Sequence, residues 1–167
     1  MIRITNVLVA TDFGPAAASA LDYGREFART FGARLHVLHV VENPMVYPGA
    51  ETVGVDVARL RADLEAGAQQ ALDGIVTSED RDQLRAVTII RTGNTPAFEI
   101  VDHAKVADID VIIMGTHGRG FMSHLLMGSV AEKVVRMAPC PVLTVRHPEH
   151  EFILPDALQV VASTRRL

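Results

Sequence analysis

Val111 to Gly120 reads VIIMGTHGRG. Four consecutive apolar residues with no polar alternation are what a short strand needs when it is covered on both faces. The glycines that follow end it abruptly. The same short, β-branched signature recurs outward from this stretch, at Ile4 to Ala10, Leu35 to Val41, Val87 to Arg91, Asp110 to Met114 and Val142 to Val145. Five strands are therefore predicted.

Helical spacing fills the intervals between them. Leu21, Gly24, Phe27, Ala28 and Phe31 make one stripe, and Val57, Leu60, Leu64, Ala68, Ala71 and Leu72 make a second. A third helix starts at Thr95-Pro96, a cap followed by a first-turn proline, and is expected to turn Phe98, Val101 and Ala104 inward. A fourth starts near Ser129, where SVAE has capping-box spacing, and stops before Ala138-Pro139-Cys140-Pro141. Strands that alternate with helices must pair in parallel through crossovers, because no tight hairpin joins parallel neighbours. The fold class predicted is α/β: one doubly wound five-stranded parallel sheet with helices on both faces.

The chain has 167 residues, 49% of them hydrophobic, which suits one domain with a substantial core. A net charge of -4 with both signs intermixed presents no basic face, which disfavours nucleic acid and anionic membrane surfaces as partners. The single cysteine, Cys140, excludes an internal disulfide and fits a reducing compartment; the role of a small buried apolar residue suits it better than nucleophilic chemistry. With no signal-peptide pattern at the N-terminus and no bilayer-length apolar run, a cytoplasmic location is expected. Residues 1–146 are expected to form the domain and 147–167 a C-terminal extension that packs on the sheet edge or on a partner. Asn43 to Gly54 reads as a loop.

In open parallel sheets, ligands lie beyond the carboxyl ends of the strands. Three such ends are polar or glycine-rich: ATDFGP, HVVEN and MGTHGRG. In the last, Gly115 is followed after two residues by Gly118, and after nine more by Gly128-Ser129, directly before a helix. Glycine lets backbone amides approach phosphate unobstructed, and a helix start offers unpaired amides. Each glycine alone is explained by an ordinary turn; the whole spacing favours phosphate binding. There is no Gly-Lys-Ser/Thr, and Gly118-Arg-Gly120-Phe-Met-Ser123 fits the dinucleotide fingerprint poorly.

VLVATDFG at Val7 to Gly14, LHVLHVVE at Leu35 to Glu42, DVIIMGTHGRG at Asp110 to Gly120, and LLMGSVAEKVVRMAPCPVLTVR at Leu125 to Arg146 together resemble the universal stress protein family, in its ATP-binding branch. The resemblance implies a sheet of order 3-2-1-4-5, frequent homodimers, and ATP as ligand. It also implies site residues. Ala10, Thr11 and Asp12 would lie against adenine and ribose, and Val40, taken as the end of the second strand, would meet adenine through its backbone. Met114 and Gly115 would floor the ribose and phosphate region. Amides around Gly118, Arg119, Gly128, Ser129 and Val130 would hold the phosphates. Asp12 is a candidate both for a water-mediated divalent cation such as Mg2+ and for capping the first helix; the Arg119 side chain is a candidate for pairing phosphate or for plain solvation. Ser129 is expected first of all as the helix cap. Gly14 replaces a serine common in the family, which removes one hydroxyl near the base.

No catalytic constellation is legible. His36 and His39 are three apart on a strand and so face opposite ways, His117 has no partnered carboxylate at a readable spacing, and the His147 to Glu151 cluster lacks zinc-site spacing. Glu26, Arg29, Arg59, Arg61, Asp63 and Glu65 read as solvated helix faces. The function expected is an ATP-binding stress-response protein in which nucleotide acts as a binding or dimerisation switch, with at most slow hydrolysis; the alternative is an ATP-hydrolysing or nucleotidyl-transfer enzyme. In the implied order the apolar strand PVLTV lies at an edge, so a homodimer through it is expected.

Overall fold

The computed structural model describes residues 2–43, 56–116 and 128–147. Five strands, β1 (Asn6–Ala10), β2 (Arg34–Glu42), β3 (Val87–Gly93), β4 (Val111–Gly115) and β5 (Val142–Val145), form one sheet of order β3-β2-β1-β4-β5. Every pairing is parallel. This is the doubly wound α/β architecture the sequence pattern called for. Among the described residues there are five helices: α1 (Pro15–Phe31), α2 (Val57–Ile75), α3 (Ser78–Leu84), α4 (Pro96–Val106) and α5 (Ser129–Met137).

The two-residue period of the strands divides the core into two layers. Val7, Val9, Leu35 and Val37 face α1 and α2 with Leu21, Ala28 and Leu72, whereas Leu8, Ala10 and Leu38 face α4 and α5 with Ile100, Ala104 and Val134. β1 and β4 contribute residues to both layers, which is why they read as continuous apolar runs. The two remaining sheet edges are β3 and β5, whose residues are mostly half-buried.

The helices depart from expectation at several points. α3 was not anticipated; it starts on Thr77, whose hydroxyl accepts from the Asp80 N–H while the Asp80 carboxylate accepts from the Thr77 N–H. The capping box therefore lies there and not at Ser129, which is the first helical residue of α5 behind an N-cap at Gly128, with no side-chain cap bond. Phe98 is 60% exposed, because the buried stripe of α4 is Ala97, Ile100, Val101 and Ala104, an i, i+3, i+4, i+7 set that leaves Phe98 on its flank. Phe31, Leu60 and Leu64 are also exposed: Phe31 is the last residue of α1, whose buried residues end at Ala28, and α2 buries only Ala68 and Leu72. Thr95 does stand at the cap of α4, without a side-chain bond.

At the amino ends of the strands the sheet is sealed. Asp110 accepts from the Thr5 N–H at 2.6 Å, the Thr5 hydroxyl at 2.9 Å and the Asn6 N–H at 3.0 Å, tying the start of β4 to that of β1.

Close packing of α1 on the sheet depends on Gly24. A Cβ there would sit 2.3 Å from Val9 Cγ2 and 3.4 Å from Leu35 Cδ1. Gly24→Ala gains about 1 kcal/mol of helix propensity but overpacks a fully buried valine, at about 1–3 kcal/mol, and the second effect wins. We expect a lower melting temperature. Gly67→Ala, where nothing lies within 4 Å, is expected to raise it; equal shifts of the same sign would contradict the packing account.

Candidate functional site

β1 and β4 are neighbours, but the chain leaves them in opposite directions: α1, after β1, covers one face, and α5, after β4, the other. Their carboxyl ends therefore flank a crevice. Ala10 lies in register with Met114 on β4 and with Leu38 on β2, so three of the strand ends named from sequence meet at one place.

On the β1 side, Thr11 is buried and its N–H donates to the Leu38 carbonyl at 2.9 Å, while its own carbonyl accepts from His39 Nδ1 at 2.8 Å. The Thr11 hydroxyl accepts from the Phe13 N–H at 3.0 Å, and Asp12 Oδ1 accepts from the Gly14 N–H at 2.9 Å. Asp12 thus closes a turn next to α1, but the N-cap of α1 is Gly14 with no side-chain cap bond, so Asp12 is not the cap. Phe13 has a φ of 65°, and its ring lies 4.5 Å from that of His39.

Val40 was expected to end the second strand, but β2 runs on to Glu42 beside β3. Pairing of β2 with β1 nevertheless stops at Leu38. Beyond that point β2 continues beside β3 and, among the described residues, has no strand partner on the β1 side.

On the β4 side, Met114 is buried and Gly115 half-buried. A Cβ on Gly115 would meet Ala16 Cβ at 2.8 Å and the Ala16 carbonyl carbon at 3.1 Å, so glycine here lets α1 approach β4. The Thr116 N–H donates to Val145 at 2.9 Å, and the Gly128 N–H donates to the Thr116 carbonyl at 2.7 Å. This last bond sets the start of α5, with Ser129 and Val130 in its first turn, next to the end of β4. It also occupies the Gly128 amide, which was expected to face phosphate. Ser129 is exposed and Val130 half-buried against the α4–α5 layer. Gly118, Arg119 and His117 lie outside the described residues.

Of the expected set, the structure brings together Ala10, Thr11, Asp12, Met114, Gly115, Gly128, Ser129 and Val130, with Val40 on the adjoining strand. Sequence reasoning passed over Phe13 and read His39 as a packing or rim residue; a histidine in an apolar strand carries no local sign of its partner. The two histidines do face opposite ways, His39 toward Phe13 and His36 toward His103, whose Nε2 is 3.4 Å from His36 Nδ1.

Among the described residues no group of three or more His, Cys, Asp or Glu is arranged to hold a metal, and no helix is long and apolar enough to cross a membrane. Cys140 is half-buried, and burial pushes its thiol up. A groove of about 480 Å³ lies at the β3 edge, lined by Arg61, Glu65, Gln69, Arg91 and Glu99. Its charges are already paired, Arg61 with Glu65 and Arg91 with Glu99 and Asp102. Glu65 also accepts from the Thr92 hydroxyl at 2.7 Å, so it is tied to β3 and is not simply a solvated residue.

The model of the Universal stress protein family matches residues 3–146. The chain is similar to universal stress protein MJ0531 of Methanocaldococcus jannaschii, with 32% identity over 87% of this chain and 84% of that protein. It is similar in structure to MJ0577 of the same organism, with a TM-score of 0.76 and 28% identity over 87% of this chain and 98% of the other. A universal stress protein from Archaeoglobus fulgidus, in complex with dAMP, shares the fold at a TM-score of 0.59 and 22% identity, over 87% and 99% of the two chains.

Proposed function

The chain belongs to the universal stress protein family, and from that premise we propose that it is an ATP-binding member in which nucleotide acts as a switch. The observation that carries this reading is the Gly128 to Thr116 hydrogen bond at 2.7 Å, because it sets the start of α5 directly beyond β4. The first amides of a helix have no intrahelical acceptor and, with the helix dipole, favour an anion. Ser129 and Val130 supply such amides, and the positions of Gly118 and Arg119 in segment 117–127 are assigned to the phosphates by the family resemblance. The Val40 backbone, past the point where β1 stops pairing with β2, suits the hydrogen-bonding edge of adenine, and the Asp12 carboxylate suits ribose hydroxyls or a cation-bound water. Met114 and Gly115 form the floor. The dAMP held by the Archaeoglobus fulgidus protein is a ligand of the same class on the same fold.

Switching requires that ATP bind one state more tightly than another. The two states we propose are monomer and homodimer in the cytoplasm, the dimer forming through the β5 edge with residues 147–167. Edge strands with half-buried apolar residues need such cover.

Calorimetric titration with ATP and Mg2+ tests the reading, and saturable one-site binding is expected. A carboxylate hydrogen-bonded to ligand contributes about 1.5–3 kcal/mol, so Asp12→Ala is expected to weaken binding by about tenfold or more. No saturable binding by the native protein at millimolar nucleotide would remove the proposal.

A further inference from the structure

The turn after β1 holds a non-glycine residue in the left-handed region, Phe13 at φ 65°. Backbone of this kind persists only where its surroundings over-determine it. Here the surroundings come from the neighbouring strand. Thr11 Oγ1 accepts from the Phe13 N–H, but Thr11 is itself held by β2, through its N–H to Leu38 at 2.9 Å and through its carbonyl to His39 Nδ1 at 2.8 Å. A carbonyl only accepts, so the hydrogen resides on Nδ1, and the neutral ring is the Nδ1–H tautomer. The same imidazole lies against the Phe13 ring at 4.5 Å and 39°. One side chain therefore grips the turn twice, once at the backbone before Asp12 and once at the side chain after it.

We propose that His39 is a positioning residue for the nucleotide site, fixing the turn in the shape that presents Asp12 to ligand; this rests on the nucleotide reading above. Without the ring N–H the buried Thr11 carbonyl loses a donor and the strained Phe13 conformation loses its support. The turn then divides its population among several shapes. Only the competent fraction binds, so the dissociation constant rises by the inverse of that fraction.

Two substitutions separate donation from bulk. His39→Phe keeps an aromatic ring on Phe13 and deletes the N–H; His39→Asn restores an amide N–H near the place of Nδ1 without the ring. ATP affinity is measured with Mg2+ at pH 7, after circular dichroism has shown each variant folded. His39→Phe is expected to bind about tenfold more weakly, the effect of one lost hydrogen bond, with His39→Asn, which loses only the ring contact, closer to native than His39→Phe. Native affinity in His39→Phe, or equal losses in both variants, would overturn the proposal. A measurement on the native protein needs no variant to fold: a two-bond 1H–15N histidine spectrum is expected to show His39 as the Nδ1–H tautomer, and the Nε2–H tautomer would overturn it. Failure of the native protein to bind ATP strikes the nucleotide reading itself, whereas binding that is indifferent to His39 strikes only this inference.

Discussion

Replacing Asp80 by alanine is expected to cost about 3–5 kcal/mol of stability, the largest effect of any single polar substitution proposed for this chain. Asp80 is 2% exposed and receives the Arg25 guanidinium in a bidentate pair, Nε to Oδ1 at 3.0 Å and Nη2 to Oδ2 at 2.9 Å. The same arginine donates to the Ile75 carbonyl at 2.8 Å and to Asp22 at 2.9 Å. Asp80 also accepts from the Thr77 N–H at 2.9 Å. One carboxylate thus joins α1, the end of α2 and the start of α3. Burial pushes the Asp80 carboxyl up, but the Arg25 and Thr77 hydrogen bonds outweigh it and hold it below its ordinary value. Removing it leaves a mostly buried guanidinium without its main counter-charge and strips the α3 cap, which alone is worth about 1 kcal/mol. The exposed i,i+4 pair of Arg136 with Glu132 contributes at most about 0.5 kcal/mol and is a fair contrast. Urea unfolding at pH 7 makes the comparison; a loss below about 1 kcal/mol for Asp80→Ala would refute the network's role. Asp80→Asn, which keeps shape and an acceptor, should fall between.

The second large effect is a loss of stability on mild acidification that traces to His36. This ring is 7% exposed, and among the described residues its Nε2 is buried with no hydrogen-bond partner. Burial, then the neighbouring His103, then Arg34, depress it from 6.5 to about 4. A base depressed in the folded state is protonated first in the unfolded chain. Stability is therefore full above pH 6.5, falls as pH drops through the interval, and levels off below about 4. At 1.36 kcal/mol per pH unit the interval corresponds to about 3 kcal/mol. Asp80 acts in a different window: a depressed carboxyl loses its contribution only below its ordinary value of 3.8, as pH falls toward the folded value. Chemical denaturation at pH 7 and at pH 4.5 on the native protein and on His36→Leu separates the two. The native protein should lose stability between those conditions, and His36→Leu should lose far less; parallel losses would assign the acid sensitivity elsewhere.

Much of the architecture was legible because it depends on local pattern. VIIMG and VLVA have no polar face, so both strands had to be central, and strands alternating with helical stripes could pair only in parallel. α3 escaped because SEDRDQL has no apolar stripe: what makes it helical is the Thr77 cap and the Arg25 to Asp80 bond, which reaches across 55 residues. Phe98 misled for a related reason. Hydrophobicity said it should be inside, but α4 offers four better-aligned residues to the sheet, and a helix has only one inward stripe. At the crevice, the glycine spacing was visible, but the reason for Gly115, the approach of Ala16, lay in another helix.

By itself, the order of apolar runs and helical stripes determined the class of the sheet, since it follows from periodicities of two and 3.6 residues. Only the tertiary structure decided that His39 belongs to the turn after β1, that the Gly128 amide is taken by Thr116, and that Gly128 rather than Ser129 caps α5. Those outcomes depend on hydrogen bonds between groups distant in the chain. Each such group has several candidate partners in sequence, and chain packing selects one.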